Sequence, residues 1–257
     1  MGPGNPCGPE QHQRLITPTG DAMDYSALKK QFDRDGYIVL DRFFEPAQVA
    51  HLDGLIRRHY GTDPELQHSN EFLTRSQTDV IPWFPQQQGV TDFDVVQDNP
   101  RLKLITDTIL GDDWYGEYCM VMFSGPGSQG QAWHQDCPPE HPHRFNLNRL
   151  VYTSDVDDET GGQVAVVPGS HRMGLLPPGD PSADLDGQVL LRPRQGTLIC
   201  LHGHTWHRVL PIKATVRASI NYRSAAAGTP EGVTDVCVYR NMRYRFSTAS
   251  VIEERVV

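Results

Sequence analysis

A chain of 257 residues, 38% of them hydrophobic, is long enough for one large domain with its own core. Its formal net charge of -9 argues against the basic face that nucleic acid requires, and it holds no apolar run of about 18 residues that would span a membrane. Five cysteines (Cys7, Cys119, Cys137, Cys200 and Cys237) are odd in number and lack any CxxC pair, which excludes a disulfide framework or a zinc knuckle.

Residues 1–22 are polar, rich in Gly and Pro, and without the apolar stretch of a secretory signal. They predict a flexible arm on a cytoplasmic protein, with a single domain over 23–257. YSALKKQFDRD, 25–35, reads as a helix that stops at Gly36, and YIVLDRFF, 37–44, reads as a strand. Pro46 suits a first helical turn, after which Val49, Leu52, Leu55 and Ile56 share one face. A second amphipathic helix is predicted over 99–110, with Leu102, Ile105 and Ile109 inward and Gly111 at its end. The stretch between them, 62–98, is long enough to suggest a lid or binding loop. From about residue 114 short β-branched and aromatic runs alternate with turn residues, which predicts antiparallel sheets in a sandwich or barrel.

Within that β region the most informative segment is Trp133-His134-Gln135-Asp136. Alternation along a strand puts His134 and Asp136 on one face about 7 Å apart, so an imidazole and a carboxylate can reach a common metal. A second histidine would complete a facial triad that leaves open positions. GTLICLHGHTWH, 196–207, offers His202, His204 and His207, and strand periodicity alone does not choose among them. Arg217, followed by Ser219, could grip a carboxylate through its planar fork. His171 is read as a turn-fixing residue, His141 and His143 as solvated, and Cys137 as packing. Asp155, Asp157, Asp158 and Glu159 are read as a solvated hairpin, the alternative being a lining that attracts an amine.

Several separated segments together resemble the phytanoyl-CoA dioxygenase family of Fe(II)/2-oxoglutarate oxygenases. They are FDRDGYIVLDRFFEPAQVAHLDGLI, WHQD, GGQVAVVPGSHR, GTLICLHGHTWH and the Arg217-x-Ser219 pair. The resemblance departs from the family pattern at Val209. It implies a double-stranded β-helix (jelly-roll) core with flanking helices. It also implies Fe(II), 2-oxoglutarate and O2 as the reacting partners, with His134, Asp136 and His207 as metal ligands. Arg217, Ser219 and Tyr152 fall at the 2-oxoglutarate end. The carboxylate ligand favours hydroxylation over halogenation. A further likeness to oxygenases of aminoglycoside antibiotic biosynthesis implies a small cationic substrate, oxidised at an amine-bearing carbon with loss of ammonia to a ketone. The alternatives are a hydroxylase of another small molecule, or a cupin-like metal-binding isomerase or sensor without 2-oxoglutarate. Homo-oligomer formation is left open.

Overall fold

The structure, a computed structural model, describes residues 23–61, 70, 73, 78–246 and 252–255. The expected N-terminal arm lies outside them. Helix α1 (Tyr25–Asp35) begins where the Asp24 carboxylate accepts the Ala27 amide at 2.9 Å. It ends where Gly36 turns left-handed at φ 80° and returns its N–H to Phe32. A side chain at Gly36 would collide with the Thr205 hydroxyl and the His171 ring, so glycine is needed there for space as well as for φ.

Strand β1 (Tyr37–Leu40) is shorter than the run YIVLDRFF suggests. The chain leaves the sheet at Arg42, which has a φ of 50°, and the Phe43 and Phe44 amides then both donate to the Gly196 carbonyl. This bend drops both phenylalanines into the core instead of alternating them across a sheet. Helix α2 (Pro46–Tyr60) buries Val49, Leu52, Ile56 and Tyr60, with Leu55 half-buried beside them. Helix α3 (Pro100–Leu110) is capped by Asn99, buries Leu102, Ile105 and Ile109, and stops at Gly111.

The segment read as a lid or binding loop is tied into the fold over its described second half. There, β2 (Ile81–Trp83) pairs with β3 (Trp114–Ser124). Trp83 is buried, stands edge-on to Phe93, and donates its indole N–H to Gln88 at 2.8 Å. Gln86 bonds Asp94 and Gln97. These glutamines tie loop turns together, and the indole satisfies its one donor while filling the core. Most of 62–77 lies outside the described residues.

The remaining strands are β4 (Gln131–Gln135), β5 (Asn146–Tyr152), β6 (Val164–Val166), β7 (Val189–Leu191), β8 (Leu198–His202), β9 (His207–Val209), β10 (Arg217–Ala226), β11 (Val236–Tyr239), β12 (Met242–Phe246) and β13 (Ile252–Arg255). They form two antiparallel sheets of a jelly roll. One runs β1-β8-β5-β10-β3-β2 and the other β13-β12-β11-β4-β9-β6-β7. The six-stranded sheet is buried on both faces, although β5 and β10 carry buried Asn, Ser and Arg side chains. Ile38, Leu40, Val121, Val151, Ile220 and Tyr222 pack with the helices in one cluster. Val39, Met120, Met122, Leu150 and Leu201, on the alternate positions, pack with the Val164 and Val166 side of the second sheet. The space between the sheets is where the polar residues collect. No helix among the described residues is long and apolar enough to cross a membrane.

Candidate metal centre

His134 on β4 and His207 on β9 are direct cross-strand partners, so the register alone puts two imidazoles side by side. Asp136 follows β4, its amide held by the Gly203 carbonyl at 2.7 Å. One ligand atom from each of the three lies within 4.8 Å of the others, the one such group of His, Cys, Asp or Glu among the described residues. His207 Nε2 is 3.4 Å from Asp136 Oδ2, and His134 Nε2 is 3.8 Å from Asp136 Oδ1. The other ring nitrogens contact carbonyl oxygens: His134 Nδ1 to Ala132 at 2.8 Å and His207 Nδ1 to Thr205 at 2.9 Å. A carbonyl can only accept, so both Nδ1 atoms carry hydrogen and both Nε2 lone pairs face the centre. Burial lowers the His134 pKa to about 3, which keeps that ring neutral and able to ligate. Burial pushes the Asp136 carboxyl up, but Arg223, His207 and His134 outweigh it and hold the group below the usual carboxylate range.

His202 and His204, the other candidates in the 196–207 segment, belong to a separate cluster. The His202 ring stacks on Phe145 with centroids 3.7 Å apart and lies near His204 and His171. His171 ties its turn to α1 through the Asp33 carbonyl. Cys137 is fully buried in packing, and His141 and His143 are exposed.

The other sequence-predicted residues also converge. Arg217 is buried, donating to the Gly162 carbonyl at 3.0 Å, the Tyr152 hydroxyl at 3.2 Å and the Ser219 hydroxyl at 3.4 Å. None of these partners is anionic, and among the described residues the guanidinium has no ion-pair partner. Arg217 and Tyr152 line the same cavity as the His134, Asp136 and His207 group. Its remaining walls are largely apolar, with Met120, Met122, Leu150 and Leu201 among them.

Three polar residues at the centre went unread in the sequence: Asn148, Asn221 and Arg223. Arg223 Nη2 lies 3.0 Å from Asp136 Oδ1, and Asn148 donates to Asp136 Oδ2 at 2.7 Å. The signal was available for two of them, because Arg217, Ser219, Asn221 and Arg223 fall on alternate positions of β10 and share a face.

A family model for phytanoyl-CoA dioxygenase (PhyH) matches residues 32–215. The chain belongs to the phytanoyl-CoA dioxygenase family. Among curated proteins it is similar to an ectoine dioxygenase of Bordetella bronchiseptica, 27% identical over 185 residues, covering 68% of this chain and 58% of that protein. An ectoine dioxygenase of Streptomyces coelicolor is 25% identical over 158 residues, covering 59% and 51%. The chain thus spans a little over half the length of these relatives. Among solved structures, the non-haem α-ketoglutarate-dependent epimerase SnoN from nogalamycin biosynthesis superposes with a TM-score of 0.63 at 19% identity, covering 84% of this chain and 85% of that one. HygX from Streptomyces hygroscopicus, with nickel and 2-oxoglutarate bound, gives 0.64 at 14% identity, covering 78% and 87%. At those identities the likeness is one of fold.

Two features of this family member bear on what it could accept. The acidic cluster does not line the cavity: Asp155 pairs with Arg194 at 2.9 Å, Asp158 pairs with Arg192 at 3.0 Å, and Asp157 caps the Thr160 amide. It is an ion-paired surface hairpin, and the amine-attracting lining considered from the sequence does not form there. A second pocket adjoins the first and shares Thr78, Gln131 and Val209 with it. Asp79 and Arg208 also line this pocket. Arg208 is matched by Asp184 at 2.7 Å, whereas among the described residues the Asp79 carboxylate has no ion-pair partner.

Proposed function

We propose that this chain is a non-haem Fe(II)- and 2-oxoglutarate-dependent dioxygenase that oxidises a small polar metabolite. The observation that carries the proposal is the buried, uncompensated Arg217 guanidinium in the cavity that also holds two imidazoles and a carboxylate. Two nitrogen donors and one oxygen donor on one side suit Fe(II) and leave the remaining positions open. Iron and 2-oxoglutarate together would supply activation of O2, with oxidative decarboxylation to succinate and oxidation of a substrate C–H bond.

The protein's own residues do the rest. The carbonyls of Ala132 and Thr205 fix the ring tautomers. Arg217 and Tyr152 present donors to the distal carboxylate of 2-oxoglutarate, with the Ser219 hydroxyl alongside. The apolar walls around Leu150 and Leu201 exclude water from that end and strengthen the charge pairing. In this reading the substrate occupies the second pocket, beyond Thr78 and Gln131. Its uncompensated carboxylate at Asp79 favours an amine-bearing ligand, and an aminoglycoside of the kanamycin B type is the substrate we infer. Oxidation at an amine-bearing carbon would give a hemiaminal that loses ammonia to leave a ketone.

The decisive experiment is an anaerobic titration with Fe(II) and then 2-oxoglutarate, followed by turnover with kanamycin B and with ectoine. A visible charge-transfer band that needs both additions supports the dioxygenase reading. Iron binding without that band favours a cupin-like metal protein. Succinate released with ammonia from kanamycin B supports the finer reading; succinate without ammonia removes the deamination step.

A further inference from the structure

Arg223 stands six residues beyond Arg217 on the same face of β10, but each of its three guanidinium nitrogens has a partner. Its side chain is 3% exposed. Nε donates to Asn148 Oδ1 at 2.9 Å, Nη1 to the Thr234 carbonyl at 3.3 Å, and Nη2 reaches Asp136 Oδ1 at 3.0 Å. The second carboxylate oxygen, Oδ2, accepts Asn148 Nδ2 at 2.7 Å. Asn148 is itself oriented, because Asn221 Nδ2 donates to its Oδ1 at 2.8 Å and fixes which end of the amide faces Asp136. Asp136 Oδ2 is thus held by Asn148, and Oδ1 by Arg223 with the Cys237 thiol at 4.0 Å.

A bulge supports this arrangement. β10 pairs Arg223 with Tyr118 and Ser224 with Gly116, so Glu117 is the extra residue on β3. Bulges re-aim side chains, and here burial raises the Glu117 carboxyl above the usual carboxylate range despite the attraction of Arg223, while the guanidinium lies 5.2 Å from the Tyr118 ring centroid. A cation beside a site for a divalent metal is unfavourable by charge alone. Its place among three buried partners calls for a compensating role.

We propose that Arg223 and Asn148 are positioning residues that hold the Asp136 carboxylate facing His134 and His207 before any metal arrives. This inference rests on the reading of those three residues as metal ligands. It makes a prediction opposite in sign to simple electrostatics. If Arg223 acted only as a nearby positive charge, neutralising it would tighten metal binding. If it positions Asp136, neutralising it weakens metal binding.

The test is Co(II) titration of the full chain, followed by calorimetry and by the cobalt d–d absorption, alongside thermal unfolding. His207→Ala is the reference for the site itself: if it leaves Co(II) binding unchanged, the metal-ligand reading fails. With that reference lost as expected, Arg223→Met and Asn148→Ala should each weaken Co(II) binding at least tenfold and change the d–d spectrum. Arg223→Lys should restore part of the affinity. A purely structural role would lower the unfolding temperature and leave the spectrum of the folded protein unchanged. Wild-type or tighter affinity with an unaltered spectrum in Asn148→Ala and Arg223→Met would overturn the proposal. Should Arg223→Met fail to fold, Asn148→Ala decides alone, since it touches the same carboxylate without removing a buried charge.

Discussion

Replacing Arg217 by methionine separates co-substrate binding from metal binding and from folding. The guanidinium donates three hydrogen bonds to uncharged acceptors and, among the described residues, makes no ion pair, and it is 4% exposed. In the folded protein its loss removes charge-assisted bonds worth about 1.5–3 kcal/mol each at good geometry, less at 3.4 Å, but it also removes the comparable cost of burying an uncompensated cation. The unfolding temperature should therefore move little. Towards 2-oxoglutarate the change is much larger. A two-pronged pair with a carboxylate comprises two charge-assisted bonds of roughly 1.5–3 kcal/mol each, so affinity should fall by about two to four orders of magnitude. The assay is the midpoint of the anaerobic Fe(II)/2-oxoglutarate absorbance titration, read beside Co(II) affinity. Co(II) binding should be unchanged. Arg217→Lys, which keeps the charge but not the fork, should fall between the two. A midpoint within threefold of wild type in Arg217→Met would refute the assignment.

Gly162 supplies a neighbouring test. It has a φ of 76°, and a Cβ there would lie 2.6 Å from Arg217 Cδ. Gly162→Ala should displace the arginine and raise the 2-oxoglutarate requirement at least tenfold with metal affinity intact, measured by the same titration. The metal-free protein should lose stability as pH falls below about 6.5. Burial lowers His134 to about 3, His204 to about 4 and His202 well below its ordinary value, so the unfolded chain takes up protons that the folded one refuses. The loss approaches about 1.4 kcal/mol per pH unit for each histidine over that window. Urea unfolding at pH 7.5 and 5.5 reads it, His202→Phe should flatten part of the slope, and a flat profile contradicts the burial argument. Co(II) at a hundredfold excess over its Kd should stabilise the fold by about 2.7 kcal/mol, and His207→Ala should abolish that gain in a thermal shift.

Much of this architecture could be read in the sequence because local signals and burial agree. Helices 25–35 and 99–110 carry an N-terminal cap, an apolar stripe and a terminal glycine, and each forms where those coincide. His134 and Asp136 were legible because strand alternation is a local property. The choice of His207 over His202 and His204 was not, since it depends on the pairing of β9 with β4, a long-range register. The short β1 was misread because the bend at Arg42 is set by the Gly196 carbonyl, more than 150 residues away in the chain. Trp83 and its glutamines looked like loop residues because their partners come from β3 and the 91–97 turns. Asn148 gave no sign at all, since its role lies wholly in what surrounds it.

Strand β10 carries Arg217 in the cavity wall and Arg223 against the Asp136 carboxylate, and it is pinned along its length by β3 and β5. Under the proposed function, both chemical ends of the co-substrate are thereby measured against one stretch of backbone. A 2-oxo diacid one methylene longer or shorter would have to give up either the grip of the arginine or its approach to the iron. Selection for a five-carbon acid over its homologues would then follow from the pitch of a strand, without a side chain devoted to measuring length.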